Sequence, residues 1–294
     1  MINKSGIIVD SLRLPLRDGL KKAKEMGADG VQIFAVKGEM DPENLSSAQR
    51  QELRRYIEDL GLEISALCGD LGGHGFQSEV DSPAKIEKSK RIIDLALDLG
   101  TDIVTTHIGI VPEDNERVYE TMQKACEELS IYAYKSNAHF AVETGPETAI
   151  VLKSFLDTLT NNGVAVNFDP ANMVMVTGDD PVEGVKLLKD YIVHTHVKDG
   201  YRLLKVDPKL VYGFVGLEKE LRHEELAKLG ATGPLFRETP LGEGNVDFEN
   251  YFKALIEIGY TGYLTIEREV GEDPVGDIEK ALAFIQKYKV LAAK

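Results

Sequence analysis

The sequence predicts a closed (β/α)8 barrel, the TIM-barrel architecture, with residues 1–294 in a single domain. Short runs rich in Val, Ile and Thr alternate eight times with longer amphipathic stretches, and the strand comes first in each pair. Glycine-containing joints precede several of the strands, in EMGADG, DLGLEI, DLGTDI and EIGYTG. No low-complexity tract or Pro-rich linker divides the chain, and its 294 residues suit one such barrel.

The predicted strands are short β-branched runs bounded by turn residues. They span residues 6–12, 30–36, 63–71, 102–110, 139–145, 164–170, 192–199 and 262–269. Early residues of a barrel strand fill the core, whereas charged residues near its C-terminal end face the barrel mouth. The position of a polar residue within its strand therefore indicates whether it is available for chemistry.

Amphipathic helices are predicted between the strands. The stretches 46–61 and 82–100 each combine a polar N-terminal residue, apolar residues at helical spacing and a closing glycine. A final helix over 280–294, KALAFIQKYKVLAAK, is expected to pack on the barrel.

The main irregularity is residues 201–246, which separate the seventh strand from its helix. A connection of this length in a compact domain usually forms a lid or a wall of the binding site. It leaves the C-terminal end of its strand, where barrel active sites form. Within it, residues 221–230 (LRHEELAKLG) predict an extra helix.

Composition excludes several classes of partner. The net charge of −15 disfavours binding to nucleic acid, which draws on clustered Lys and Arg. No run approaches the ~18 apolar residues of a membrane helix, and the N-terminal segment has no export signal. We read Cys68 and Cys126 as buried, reduced thiols. We therefore expect a cytoplasmic protein without nucleic-acid or membrane partners.

Four strands end with a side chain that could bind a metal ion: Glu143, Asp169, His196 and Glu267. Each alone is more often a cap, a salt-bridge partner or a packing residue. Three carboxylates and a histidine that converge at one barrel mouth would, however, repel one another without a cation. Three oxygen ligands and one imidazole nitrogen suit one divalent ion, Mn²⁺, Co²⁺, Mg²⁺ or Zn²⁺.

An ordered set of motifs identifies a family resemblance. The motifs are VETG, NFDPAN, HTHVKDG, ETPLGEGNVDF and GYLTIERE. Together they resemble the xylose-isomerase-like barrel superfamily of sugar and sugar-phosphate isomerases and epimerases. The resemblance covers residues 6–290 and is weakest in 201–236.

Resemblance to the ketose 3-epimerases of this superfamily implies that Glu143, Asp169, His196 and Glu267 hold one divalent ion. The resemblance also implies that His196, the second histidine of the HTH motif, is the one that binds the metal ion. At ~3.3 Å rise per residue, His194 lies in a deeper layer than His196. We therefore interpret His194 as a support beneath the ligand.

The expected reaction is proton transfer next to a carbonyl group, through an enediolate whose charge the metal ion stabilises. The resemblance implies that Glu143 and Glu267 are both metal ligands and acid/base groups. Return of the proton to the same carbon gives an epimerase, and return to the neighbouring carbon gives an aldose–ketose isomerase. The expected substrate is a small sugar, keto-sugar or sugar phosphate.

Several further residues are candidates for substrate binding: His74, His107, Asn172, Lys198, Arg202 and Arg237. Arg202 matches an arginine that contacts substrate oxygens in the epimerases, and it is equally well a salt-bridge residue of the lid. Lys198 and Arg237 could bind hydroxyls or a phosphate, or pair with the adjacent Asp199 and Glu238.

Other functions on the same scaffold stay open. One is dehydration of a keto-inositol, in which the enediolate expels a hydroxyl group. An apurinic endonuclease is disfavoured by the net charge and by Asn172, where many relatives carry a histidine. The last alternative is a non-catalytic sugar-binding protein. The resemblance also leads us to expect a homo-oligomer, as a dimer or tetramer.

Overall fold

The computed structural model describes residues 4–292, and eight parallel strands in it close into a barrel. Together with a separate two-stranded sheet, the described residues hold ten strands: β1 (Lys4–Ile8), β2 (Gly30–Phe34), β3 (Glu63–Cys68), β4 (Ile103–Thr106), β5 (His139–Glu143), β6 (Val164–Phe168), β7 (Ile192–Val197), β8 (Asp199–Arg202), β9 (Phe236–Thr239) and β10 (Tyr263–Ile266). The order around the barrel is β1-β10-β7-β6-β5-β4-β3-β2. The predicted (β/α)8 barrel is confirmed, and β8 and β9 lie outside it.

Helices follow the barrel strands and form the outer layer. They are α1 (Leu16–Glu25), α2 (Ser47–Asp59), α3 (Ser82–Leu99), α4 (Glu116–Lys135), α5 (Ala149–Leu156), α6 (Pro170–Asn172), α7 (Pro181–Leu187), α8 (Lys209–Tyr212), α9 (Lys219–Lys228), α10 (Phe248–Glu257) and α11 (Pro274–Ala292). Two 3-10 turns, Val9–Leu12 and Gly38–Met40, and a π-helical turn, Met173–Thr177, complete the elements. None of the helices within residues 4–292 combines the length and apolar character needed to cross a bilayer.

Local sequence signals explain where the helices begin and end. Ser46 caps α2 in a reciprocal capping box with Gln49. Helix α3 ends at Gly100, whose φ of 93° lies in the left-handed region. The predicted last helix corresponds to α11, and residues 293–294 of that prediction lie outside the described residues.

The core fills the barrel and the layer between strands and helices. Its largest buried side chains include Phe140, Phe168 and Tyr251, and the rings of Phe168 and Tyr251 stack 5.7 Å apart between β6 and α10. Cys68 and Cys126 are free and buried, as expected. Burial of this apolar surface, at ~25 cal/mol per Å², stabilises the scaffold that fixes the strand ends.

The predicted strand positions are correct, but several of the predicted strands are too long. The stretch 63–71 leaves the sheet after Cys68, and the stretch 192–199 leaves it after Val197. Asp199 instead begins β8, which pairs antiparallel with β9. The residues after Cys68 form a loop, and those after Val197 lead into an outer sheet, because neither stretch pairs with a neighbouring barrel strand.

The long connection is more structured than a simple loop. It holds β8, α8, α9 and β9, and the extra helix predicted over 221–230 is confirmed as α9. Strands β8 and β9 are four residues each and far apart in sequence, so local periodicity did not reveal them. The single-domain organisation stays a prediction.

The buried carboxylate of Asp199 fixes the return of this connection to the barrel. It accepts hydrogen bonds from the backbone amides of Gly200, Gly242, Gly244 and Val246, at 2.8–3.1 Å. A Cβ on Gly244 would lie 2.1 Å from Asp199 Oδ1, so only glycine permits this approach. One side chain therefore holds the turn between β9 and α10.

Replacing Asp199 by Ala should lower the free energy of unfolding by roughly 2–4 kcal/mol, because buried amides lose their acceptor. Urea denaturation measures the change. The matched control is Asp190→Ala, at an exposed position, which should unfold like the wild type. Equal stabilities of the two variants would contradict this role of Asp199.

Candidate metal centre

Four side chains from separate strands meet at the barrel mouth. Glu143 ends β5, Asp169 follows β6, His196 lies near the end of β7, and Glu267 follows β10. Each contributes one potential ligand atom, and these atoms all lie within 4.8 Å of one another. All four residues are buried. The fold thus brings together the residues that the sequence singled out as ligands.

His196 lies between the three carboxylates. Its Nδ1 is 3.3 Å from Glu267 Oε2, 3.5 Å from Glu143 Oε2 and 3.8 Å from Asp169 Oδ2. On the other side of the ring, Nε2 is 3.1 Å from Gln32 Oε1. Since that amide oxygen can only accept, Nε2 carries a hydrogen and Nδ1 is the ring nitrogen that faces the carboxylates.

Gln32 and Asn167 orient the ligands, and sequence analysis missed both. Gln32 donates to Thr105 Oγ1 at 3.0 Å, which fixes its amide so that the oxygen faces His196. Asn167 donates to Glu143 Oε2 at 3.1 Å. The signal that could have revealed them is an amide side chain inside an otherwise apolar, buried strand.

His194 supports the site from below. Its Nδ1 lies 2.8 Å from Asn167 Oδ1, and its Nε2 lies 3.0 Å from Thr265 Oγ1. Burial, together with the proximity of His196, holds the pKa of His194 well below its usual range, so the ring is neutral. His194 thus fixes the amide that in turn holds Glu143.

Asp169 has one satisfied and one unsatisfied carboxylate oxygen. Oδ1 accepts from the backbone amides of Ala171 (2.8 Å) and Asn172 (3.0 Å) at the start of α6. Oδ2 is buried and has no hydrogen-bond partner among the described residues. An unpartnered buried carboxylate oxygen is costly, which fits a cation as its partner.

Lys198 is a buried cation beside the cluster. Its Nζ lies 3.0 Å from Glu267 Oε2, 3.2 Å from Glu269 Oε2 and 3.8 Å from Asp169 Oδ2. The predicted alternative pairing with Asp199 is wrong, because backbone amides occupy that carboxylate. Likewise Glu238 pairs with Arg268, at 2.6 Å, and the predicted alternative of a pair with Arg237 is wrong.

The charges at the site favour a bound cation. The three carboxylates of the cluster outnumber the one ammonium beside them, which Lys198 supplies and also shares with Glu269, so a bound cation would offset negative charge. Burial alone would lower the pKa of His196. The negative charges of Glu267 and Glu143 outweigh this effect and raise the pKa of His196 well above its usual range. Burial would raise the pKa of Glu267, but Lys198 and His196 hold it well below its usual range.

His107 and Asn172, two of the predicted substrate-binding residues, also border the cluster. Asn172 donates to Glu143 Oε1 at 2.8 Å. His107 Nε2 lies 3.7 Å from the same oxygen, and its Nδ1 lies 3.3 Å from Asp70 Oδ2. Burial alone would lower the pKa of His107, but Glu143 and Asp70 outweigh it and raise the pKa to about 9.

Arg202 and His74 line two cavities and lie outside the hydrogen-bond network of the cluster. Arg202 donates to the carbonyl oxygens of Thr177 (3.0 Å) and Val176 (3.4 Å) and lines a cavity of about 440 Å³. His74 is exposed and lines a second cavity of about 180 Å³, together with His107. Arg237 is exposed on β9. Substrate binding by these residues stays a prediction.

Glu147 is a buried acid that sequence analysis missed. Its Oε2 accepts from the Val111 amide at 3.1 Å, and its Oε1 is buried without a hydrogen-bond partner among the described residues. Burial raises its pKa to about 8. No motif marks it, since only the fold encloses the carboxyl group.

These features define a TIM-barrel protein with a polar centre at the carboxyl ends of its strands. The sequence model of the xylose isomerase-like TIM barrel family matches residues 20–288. The chain therefore belongs to this family, and the resemblance seen in its motifs is confirmed.

The chain is similar in sequence to proteins named as dehydratases and to proteins named as epimerases. The chain is 30% identical over 156 residues to an inosose dehydratase of Clostridium botulinum (strain Eklund 17B / Type B), a match that covers 53% of this chain and 47% of that protein. This match thus spans about half the length of the relative. The chain is 27% identical over 282 residues to the putative L-ribulose-5-phosphate 3-epimerase SgbU of Escherichia coli (strain K12), covering 90% of this chain and 88% of that protein.

Solved structures share the whole fold. A xylose isomerase domain protein from Planctomyces limnophilus superposes with a TM-score of 0.76 at 24% identity, over 97% of this chain and 96% of that one. A xylose isomerase-like TIM barrel protein from Mycobacterium smegmatis in complex with magnesium gives a TM-score of 0.71 at 17% identity, over 100% and 98%. At these identities the likeness concerns the fold alone.

Replacing Glu147 by Gln should change how stability depends on pH. The folded state binds this proton more tightly than the unfolded chain, since the pKa rises from 4.5 to about 8. The wild type should therefore lose stability relative to Glu147→Gln as the pH rises through this window.

Urea denaturation of both proteins between about pH 5 and about pH 8.5 measures this difference. Glu113→Gln, at an exposed position in a neighbouring loop, is the control and should follow the wild type at every pH. A difference between wild type and Glu147→Gln that does not vary with pH would contradict the raised pKa.

Proposed function

We propose that the protein is a divalent-metal-dependent isomerase or epimerase that moves a proton next to the carbonyl group of a sugar, keto-sugar or sugar phosphate. The observation that carries this proposal is the buried cluster of Glu143, Asp169, His196 and Glu267, in which one carboxylate oxygen of Asp169 has no hydrogen-bond partner among the described residues. Sugar-processing relatives support the substrate class.

The same four residues would hold the ion, because three carboxylate oxygens and one imidazole nitrogen match Mn²⁺, Co²⁺, Mg²⁺ or Zn²⁺. The bound ion would supply positive charge that stabilises the oxygen anion formed when a proton leaves the neighbouring carbon. The imidazole is already oriented for this role by Gln32, which fixes its other nitrogen.

Glu143 and Glu267 are the proposed acid and base. The two carboxylates approach the same histidine nitrogen from separate strands, β5 and β10. Lys198 pairs with Glu267 at 3.0 Å, and the amides of Asn167 and Asn172 hold Glu143 in place. One group would remove the proton from the substrate carbon and the other would return it.

A second candidate, dehydration of a keto-inositol, stands beside the first. Matches to inosose dehydratases from several Clostridium strains favour it. Its first step would be the same proton abstraction, after which the anion expels a hydroxyl group. The two candidates therefore use the same residues and differ in product.

A nuclease or a non-catalytic sugar-binding role receives less support. Asn172 donates a hydrogen bond to Glu143, where a further histidine would be needed for additional metal ions, and the chain carries a net charge of −15. A binding protein without catalysis would not require a buried carboxylate pair beside a cation.

Metal binding should depend on His196 far more than on His194. His196→Ala removes the nitrogen ligand and should abolish binding of one Mn²⁺ per chain. His194→Gln disturbs only the support of Asn167 and should weaken affinity about 10- to 100-fold. Electron paramagnetic resonance of free Mn²⁺ measures both. If both variants fold and lose Mn²⁺ binding to the same extent, the assignment of His196 as the ligand and His194 as its support is wrong.

Proton transfer should be visible as isotope exchange. We expect the metal-loaded protein to incorporate deuterium from D₂O next to the carbonyl of its substrate, when a panel of ketoses, keto-inositols and sugar phosphates is supplied. Mass spectrometry distinguishes the two candidates, since a dehydrated product has lost water.

The variants Glu143→Gln and Glu267→Gln should abolish exchange, because each removes a proton carrier that is also a proposed metal ligand. Glu272→Gln, at an exposed position beyond β10, is the matched control and should exchange like the wild type. If no carbonyl compound exchanged with the wild type, the proposed reaction would be wrong.

A further inference from the structure

Tyr212 occupies the barrel mouth although it belongs to the connection in which the family motifs are weakest. It ends α8, and its ring centroid lies 5.9 Å from that of His107. Burial raises the pKa of its hydroxyl above the usual range, and the nearby charges of Lys198, Glu143 and Asp169 also act on it. Tyr212 therefore lies beside the carboxylate cluster.

The segment around Tyr212, residues 208–217, is tied to neighbouring loops at three places; we call it the strap. Lys209 Nζ contacts both carboxylate oxygens of Asp114, at 2.7 and 2.9 Å. Arg222 donates to the carbonyl oxygens of Leu210 and Val211, both at 2.6 Å. These bonds hold α8 against the loop after β4 and against α9.

The third tie is Gln77, which bridges the strap and the barrel. Its Oε1 accepts from the Val215 amide at 2.9 Å, and its Nε2 donates to the Ile110 carbonyl at 2.8 Å. Gln77 is buried, so the polar bridge is protected from water. The strap is thus docked through a few directed bonds.

The outer part of the connection makes little apolar contact. No residue of α9 is buried, and Leu221 and Leu229 are about half exposed. In the strap itself, Leu210 and Phe214 are buried. Its other apolar side chains, those of Val211, Tyr212, Val215 and Leu217, pack against the core and are only partly buried. A segment held by a few directed polar bonds and by partly buried side chains can open locally without unfolding of the barrel.

Tyr212 also forms one wall of a cavity next to the cluster. The cavity has a volume of about 180 Å³, and its lining includes Asp70, His107, Pro146 and Gly213. His107 connects this cavity to Glu143. A small polyhydroxylated molecule in this cavity would contact both Tyr212 and His107.

We propose that Tyr212 is a substrate-binding residue that covers the active site: its hydroxyl bonds an oxygen of a polyhydroxylated carbonyl substrate, and the strap undocks to admit that substrate. This inference rests on the proposed function. The ring shields the reacting carbon from water, and the hydroxyl fixes which substrate oxygen faces the cluster.

The chain contains no tryptophan, so Tyr212→Trp introduces a single fluorescent reporter at this position. Mn²⁺ quenches indole fluorescence only at short range. Titration with Mn²⁺ should therefore quench Trp fluorescence in this variant, with the same midpoint as metal binding measured by electron paramagnetic resonance.

The matched control is Tyr134→Trp. Tyr134 is exposed at the C-terminal end of α4, which leads into the start of β5 at the opposite end of the barrel. Its fluorescence should not change with Mn²⁺. If Mn²⁺ binds to Tyr212→Trp and leaves its fluorescence unchanged, Tyr212 does not cover the site.

Acrylamide quenching in the metal-free protein tests the cover independently of metal binding. The indole of Tyr212→Trp should be quenched less by acrylamide than that of Tyr134→Trp. Adding Lys209→Met to the Tyr212→Trp variant removes the contact with Asp114 and should increase quenching. Equal quenching of the two reporters overturns the inference. Failure of Mn²⁺ to bind any variant would instead overturn the proposed function, and acrylamide would still decide the position of Tyr212.

Substrate kinetics separate the hydroxyl from the ring. Tyr212→Phe should raise KM about tenfold with kcat nearly unchanged, whereas Tyr212→Ala should lower kcat as well, because water enters. A purely structural role would lower the stability of both variants and leave KM unchanged, which would overturn substrate contact.

Discussion

The burial of three carboxylates around one histidine nitrogen is the constraint on which the site depends. Charged groups at such depth are costly unless they are paired, and nearly every polar neighbour offsets that cost. Asn167 and Asn172 donate to Glu143, backbone amides satisfy one oxygen of Asp169, and Lys198 pairs with Glu267. The second oxygen of Asp169 has no hydrogen-bond partner among the described residues.

The layered interior of a barrel explains how the two histidines of one strand differ. Side chains at positions two apart point to the same side but lie at different depths. His194 lies below, bonded to Asn167 and Thr265, and is neutral. His196 lies above, among the carboxylates, with its tautomer set by Gln32. The lower histidine therefore supports the upper site through Asn167 and through edge-to-face contact of the two rings, whose centroids lie 5.6 Å apart.

The connection after β7 surrounds this centre from the outside. Asp199 holds its return by backbone amides, and the strap places Tyr212 against His107. Both features join residues that are distant in sequence, and neither has a local pattern. They also explain why the mouth is polar at its base and aromatic above it.

The sequence by itself determined the barrel, because strand and helix periodicity are local and eight repeats permit few other closures. It also indicated the four residues of the cluster, because a polar residue at the end of an apolar strand is visible in the sequence. Only the tertiary structure decided the contacts of Gln32, Asn167, Glu147 and Tyr212, the pairing of Lys198, and the sheet of β8 and β9. The reason is physical: burial, hydrogen bonding and charge pairing at these positions arise from neighbours brought together by barrel closure, and they leave no periodic mark on the chain.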